Sequence, residues 1–182
     1  MRHVGAALGY YSALMAHVVG ESGRVVAVEV DPDLAREARE NLVSIRSVDV
    51  RSGDATGPLR ERFDAILVSA GVTHPQMTWL DALVPGGRIA LPLTATMPAM
   101  GPLGKGFTAL FTKTSDDAFS ARVLGMTMIY SGVGLRDDVL NKQLGQAMMR
   151  TPFSKLAHLR RHAHEPKASC WLHSERFCLT LD

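Results

Sequence analysis

The sequence predicts an α/β fold: a parallel sheet completed by antiparallel strands in the C-terminal half. Three observations carry that reading. A glycine-containing turn, Gly5-Ala6-Ala7-Leu8-Gly9-Tyr10, stands at the start of the chain. A strand ending on an acid, Arg24-Val25-Val26-Ala27-Val28-Glu29, follows about twenty residues later, the separation of a Rossmann-type βαβ unit. Further apolar runs alternate with helical patterns as far as Pro92, where hairpin-like patterning takes over.

The elements follow in order. Only Met1 to Val4 precede the turn, whereas typical strands run ~5–6 residues, so the first strand is expected to be truncated. The glycine spacing bears on the ligand. Counting Gly5 and Ala7 as the first two small positions of a dinucleotide loop puts Tyr10 at the third. That position packs helix against strand and wants a small residue. Gly5 and Gly9 instead match the outer glycines of an S-adenosylmethionine (SAM) loop, with Ala7 in place of the middle glycine and His3 in place of the leading acid. Glu29 then stands where ribose hydroxyls are bound, with Val30 and Asp31 beside it. Asp31 suits an N-cap and Pro32 the first helical position of a helix through Leu34, Ala35, Ala38 and Leu42. Val48-Asp49-Val50 is a short strand leading to Gly53-Asp54-Ala55, where an acid can accept from an adenine amino group. Phe63 to Gly71 reads as a buried parallel strand opening into a loop. Trp79 to Leu83 reads as a helix, and Pro85 to Pro92 as a turn plus the fifth strand.

In the second half, Ala95 to Gly106 lacks periodicity and reads as a loop near the active-site mouth. Phe107 to Lys113 and Ala118 to Met126 alternate around Thr114-Ser115-Asp116-Asp117, a hairpin signal. Leu135 to Met149 has helical spacing, Phe153 to Arg161 reads as a further short helix, and the tail as one or two short strands turning at His173 to Arg176.

This order resembles the class I SAM-dependent methyltransferases, and within them the protein-L-isoaspartate O-methyltransferase family. GAALGY, EVDPDLA, GDA, FDAILVSAG and LVPGGRIALPLT here are similar to that family's GTGSGY, EIDPELA, GDG, FDAIIVTAA and LKPGGRLVIPVG segments. The resemblance covers Arg2 to about Thr94; the Ser169 to Leu179 tail resembles a bacterial subgroup labelled isoaspartyl-methyltransferase-like. It implies a single domain over 1–182 with SAM as cofactor. Gly5, Ala6, Ala7, Gly9, Tyr10, Glu29, Val30, Asp31, Gly53, Asp54 and Ala55 are the implied cofactor contacts. Ser69 and His74, after the fourth strand, are the implied acceptor-side residues. The family carries a helical segment before the first strand, with a serine used in acceptor handling. This sequence shows no counterpart, so the chain alone is expected to be weakly active or inactive.

The implied reaction is carboxyl O-methylation of isoaspartyl-type residues in proteins or peptides. A carboxylate is ionised at neutral pH and needs no general base. The Asn/Asp-Pro-Pro-Tyr motif of base and amide N-methyltransferases is replaced by Ser69-Ala70-Gly71-Val72. No added acids follow Asp64 in the manner of metal-dependent catechol-type enzymes. Two alternatives stay open: a SAM-binding remnant or scaffold without catalysis, and an enzyme acting on the carboxylate of a biosynthetic peptide or small molecule.

Composition bounds the rest. At 182 residues and 46% hydrophobic, the chain is the size of one domain with a sizeable core. A net charge of +2 points to neither nucleic acid nor a membrane surface. Two cysteines are too few for a disulfide framework, and no apolar run reaches membrane-spanning length, so a reducing cytoplasm is expected. The partner is expected to be a protein or peptide with a free carboxylate, with a homo-oligomer covering the truncated sheet. His162, His164, Cys170, His173 and Cys178 lack the paired spacing of zinc motifs, and no metal site is expected. The basic stretch from Lys155 to Lys167 reads as a solvated face.

Overall fold

The computed structural model describes residues 1–181. The sheet has ten strands: β1 (Arg2–Val4), β2 (Val25–Glu29), β3 (Val48–Ser52), β4 (Phe63–Val68), β5 (Leu83–Thr96), β6 (Leu103–Lys113), β7 (Ala118–Tyr130), β8 (Leu156–Arg160), β9 (Cys170–His173) and β10 (Cys178–Leu181). Its helices are α1 (Tyr10–Val19), α2 (Pro32–Asn41), α3 (Met77–Asp81) and α4 (Asp138–Arg150). The strand order is β3-β2-β1-β4-β5-β6-β7-β8-β10-β9. The first five are mutually parallel, and every later pairing is antiparallel. The chain winds outward from β1 to β3, then returns to β4 on the other side of β1. That reversal is a topological switch point, and ligands in such sheets bind beyond the carboxyl ends of the strands there.

Local chemistry explains the first half. The Val25-Val26-Ala27-Val28 run is buried along its whole length, as a central parallel strand requires. Asp31 caps α2, accepting from Asp33 N at 2.9 Å and Leu34 N at 3.1 Å, with Pro32 at the first helical position. β1 is short, as expected, but each of its residues pairs with both β2 and β4, and all three are buried. The short strand therefore has ladder partners on both sides. Exposed large apolar side chains lie on the outside of α1 (Tyr10, Tyr11, Leu14, Val18) and along β7 (Met126, Met128, Tyr130).

Three expectations are corrected. Leu83 is not a helix end: α3 stops at Asp81, and Leu83, fully buried, opens β5 beside Phe63. Ala95 to Gly106 is not a long loop. β5 continues to Thr96, a single 3₁₀ turn spans Pro98–Met100, and β6 begins at Leu103. The Gly104 and Gly106 backbones pair with Thr96 and Thr94, where small residues hid the strand signal and a Cβ on Gly106 would lie 2.0 Å from Leu93 O. Finally, Phe153 to Arg161 is not a helix but a 3₁₀ turn followed by β8. Leu156 and Leu159 fit either period in sequence. Pairing to Phe119 of β7 and Leu179 of β10 makes the segment a strand, a tertiary decision over local preference.

One hydrophobic cluster runs from Val4 to Leu179. Phe107 joins its halves, stacking on Phe153 with centroids 4.5 Å apart and meeting Trp171 edge-on at 5.7 Å.

Candidate cofactor and acceptor site

A cavity of about 340 Å³ opens beyond the carboxyl ends of β1, β2 and β4. Its floor is the turn after β1. Gly5 (φ 76°) and Gly9 (φ 92°) adopt left-handed backbone, and a Cβ on Gly9 would lie 2.6 Å from Leu42. Ala7 (φ 46°) is the single non-glycine residue with positive φ among the described residues. An L-residue there costs roughly 1–2 kcal/mol. The position thus has a glycine's geometry without a glycine.

Glu29 ends β2 inside this cavity and is 7% exposed. One carboxylate oxygen accepts from Ala7 N at 2.7 Å, the other from Asp31 N at 3.1 Å. The acid therefore ties the strained turn to the N-cap of α2. A carboxylate has about four acceptor positions, so two such bonds leave capacity for a ligand's hydroxyls. Val30, Asp31, Gly53, Asp54 and Ala55 line the same cavity. Asp54 accepts from Thr56 N at 2.8 Å and Thr56 Oγ1 at 2.6 Å; the Thr56 hydroxyl, above all, holds its carboxyl below the usual range. The Ala55 carbonyl is clamped by Trp79 Nε1 at 2.7 Å and Arg2 at 3.1 Å, which fixes the loop after β3.

The structure places the remaining expected contacts elsewhere. Ala6 and Tyr10 line a neighbouring open hollow with Tyr11, and Gly9 shapes the turn without lining the cavity. The far wall comes from a segment that sequence reasoning missed, Tyr130 to Val133 and Leu135. Gly71 N donates to Tyr130 O at 2.8 Å and Gly132 N to Gly71 O at 3.0 Å, so this segment is stitched to the loop after β4. Arg136 braces it, donating to Ser131 Oγ at 2.5 Å and to Thr94 Oγ1 at 2.6 Å. The Gly132-Val133-Gly134 run is a turn signal that marks the segment, though nothing local places it over the cavity.

Ser69 and His74 are not brought together. Ser69 lines the cavity beyond β1, β2 and β4. His74 lines a different one, of about 690 Å³, with Gln76, Asp137, Gln143 and Arg176. Its Nδ1 lies 2.9 Å from Thr73 Oγ1, its ring stacks on Phe177 at 6.1 Å, and burial pushes its pKa below the ordinary value. The partner Ser69 does have is His3. His3 is 1% exposed, with Nδ1 2.8 Å from Ser12 Oγ and Nε2 2.9 Å from Ser69 Oγ. Burial pushes its pKa down to about 4, so the imidazole is neutral near pH 7, one nitrogen donating and the other accepting. Where the resemblance has an acid, the chain has a neutral bridge between two serine hydroxyls.

The model of the family described as Protein-L-isoaspartate(D-aspartate) O-methyltransferase matches residues 1–127. The chain belongs to this family. A protein-L-isoaspartate O-methyltransferase of Methanopyrus kandleri is 41% identical over 95 residues, covering 50% of this chain and 42% of that protein. Its namesake in Aeropyrum pernix is 40% identical over 95 residues, covering 50% and 36%. The chain thus spans about two fifths of the length of these curated relatives. A solved protein-L-isoaspartate O-methyltransferase superposes over 100% of the chain and 63% of its own, with a TM-score of 0.61 at 21% identity. One from Plasmodium falciparum, solved with S-adenosyl-L-homocysteine, superposes over 71% of this chain and 63% of its own, with a TM-score of 0.57 at 18% identity. At those identities the structural likeness speaks for the fold, which is Rossmann-like α/β. Among the described residues no helix is long and apolar enough to cross a membrane. Within the family's fold, the matched residues end inside β7, so α4 and β8 to β10 lie outside the match.

Proposed function

We propose that the cavity beyond β1, β2 and β4 holds SAM and that the protein methylates a carboxylate, most specifically an isoaspartyl side chain in a protein or peptide. The observation that carries the reading is Glu29. It is a buried acid that anchors the glycine turn and still faces the cavity. Membership of the isoaspartyl methyltransferase family supports the reaction class.

The residues fit the cofactor. Glu29 holds the ribose diol, and Asp54, in a loop clamped at Ala55, accepts from the adenine amino group. Gly5 and Ala7 bring backbone close to the ligand. When bound, SAM supplies an electrophilic methyl group on a positively charged sulfonium. Neutral His3 suits that charge, since an imidazolium beside a cationic ligand would repel it. His3 orients the Ser69 hydroxyl at the cavity edge, where Ser69 donates to an acceptor carboxylate and positions it. No residue needs to remove a proton, because a carboxylate with a reference pKa near ~4 arrives ionised. Positioning and desolvation then supply most of the rate. His74, in the other cavity, contacts the polypeptide around the modified residue rather than the reacting atoms.

Calorimetric titration of the chain with S-adenosylhomocysteine and, separately, with NAD tests the cofactor assignment. Saturable binding of the first alone supports it; binding of NAD, or of neither, contradicts it.

A further inference from the structure

The tail beyond the family match brings together side chains that the cofactor site does not use. His164, Cys170, His173 and Cys178 each offer a ligand atom, and these four atoms all lie within 4.8 Å of one another. We propose that they form a Cys₂His₂ zinc site that staples the 161–169 segment onto the β9–β10 hairpin.

The backbone explains how an irregular sequence pattern makes a compact cluster. His173 and Cys178 are directly opposed across the antiparallel pair, so their side chains share a face. Cys170 is three residues before His173, and in a regular strand it would point to the other face. A register shift intervenes, so that Leu172 faces Leu179 while Cys170 faces Thr180. Thr180 shares the face of Cys178, and the bulged residue Trp171 turns Cys170 onto that same face. The fourth group, His164, arrives from the preceding loop, its Nε2 3.4 Å from Cys170 Sγ.

The surroundings are those of a metal site. His164 Nδ1 lies 3.1 Å from the His162 carbonyl. A proton on Nδ1 satisfies that carbonyl and leaves Nε2 as a free lone pair toward the cluster, the usual second contact of a ligating histidine. Lys167 N lies 3.2 Å from Cys170 Sγ, so its N–H supports a thiolate. His173 Nδ1 is buried with no hydrogen-bond partner among the described residues. Around tetrahedral zinc with ~2.3 Å Zn–S and ~2.0–2.1 Å Zn–N bonds, donor atoms stand roughly 3.3–3.8 Å apart. The cluster needs only small side-chain adjustments to reach that. Four protein ligands close the coordination sphere, which makes the site structural rather than catalytic. On binding, two thiol protons leave to solvent and the site becomes neutral, two thiolates against one Zn²⁺. The turn from Ser174 to Phe177 lies between the last two ligands, and it walls the cavity that contains His74. The metal therefore fixes one side of that cavity.

The test is metal analysis of the full chain purified without chelator or polyhistidine tag, followed by Co²⁺ substitution. The expected results are about one zinc per chain and, with cobalt, tetrahedral d–d bands with a thiolate charge-transfer band. Cys170→Ser and Cys178→Ser should each weaken retention at least roughly 100-fold, while His162→Ala retains the metal. The wild-type cobalt spectrum decides the matter even if a cysteine variant does not fold. Wild-type protein that holds neither metal at micromolar concentration overturns the proposal. So does a mass lower by two hydrogens with no titratable thiol, which would mean a Cys170–Cys178 disulfide, or a metal content unaltered in the folded cysteine variants.

Discussion

Replacing Glu29 by alanine should do two separable things. The carboxylate accepts from Ala7 N at 2.7 Å and Asp31 N at 3.1 Å in a site only 7% exposed. Truncation leaves two backbone N–H groups without those partners. Each lost bond to a charged group is worth roughly 1.5–3 kcal/mol, less where water enters the gap. A stability loss of about 2–4 kcal/mol follows. For a chain of this size each kcal/mol moves the melting temperature by ~2–4 °C, so Glu29→Ala should melt roughly 5–15 °C lower. The second effect is on the ligand. Losing the diol acceptor should weaken S-adenosylhomocysteine binding by roughly 1–3 kcal/mol, or about 5- to 150-fold. Thermal melting and calorimetry, the latter at a temperature where both proteins are folded, read the two effects separately. An unchanged melting temperature would refute the proposed anchoring of the turn. Unchanged affinity in a folded variant would refute the assignment of Glu29 to the cofactor.

Two further substitutions probe the same turn and its neighbour. Ala7→Gly removes the left-handed strain at φ 46° and should stabilise the protein by up to about 1 kcal/mol, with cofactor binding equal or tighter; a clear loss of affinity would show that the turn meets the ligand differently. His3 has a folded pKa near 4 against an ordinary 6.5, so the folded state binds fewer protons than the unfolded state between those values. Its contribution is fully present above pH 6.5 and is lost as the pH falls toward 4, by about 3 kcal/mol in all. Denaturant titrations across that window should show the decline, and His3→Gln, which keeps a neutral donor and acceptor, should flatten it. An equal decline in both proteins would assign the effect to other groups.

The cofactor half was legible because its chemistry is local. Glu29 closes a buried valine run, Asp31 and Pro32 announce α2, and Gly5 and Gly9 mark a turn that needs positive φ. The surroundings of Ser69 were not. Its hydrogen-bond partner His3 lies 66 residues away, and their bond exists only because β1 and β4 are neighbours. That Ser69 and His74 line separate cavities was illegible for a similar reason. Five residues, with bends at Ala70, Thr73 and His74, carry the chain from Ser69 into that separate cavity. The wall from Tyr130 to Leu135 carries a turn signal at Gly132-Val133-Gly134 but acquires its place only through bonds to Gly71. In the tail, the histidines and cysteines showed no paired spacing, because a bulge at Trp171 decides which way Cys170 points, and such a bulge has no signature in sequence.

The central claim is methyl transfer to a carboxylate at this site, and isotope transfer tests it most directly. The chain, both alone and preceded by the helical segment that the family resemblance implies, is incubated with methyl-labelled SAM and a matched pair of peptides, one containing isoaspartate and the other aspartate at the same position. The account predicts base-labile label on the isoaspartyl peptide, little on its partner, and sharply less with Glu29→Ala. Label on neither peptide, despite saturable cofactor binding, would contradict it and leave a binding protein; label on amines or RNA would mean a different methyl acceptor.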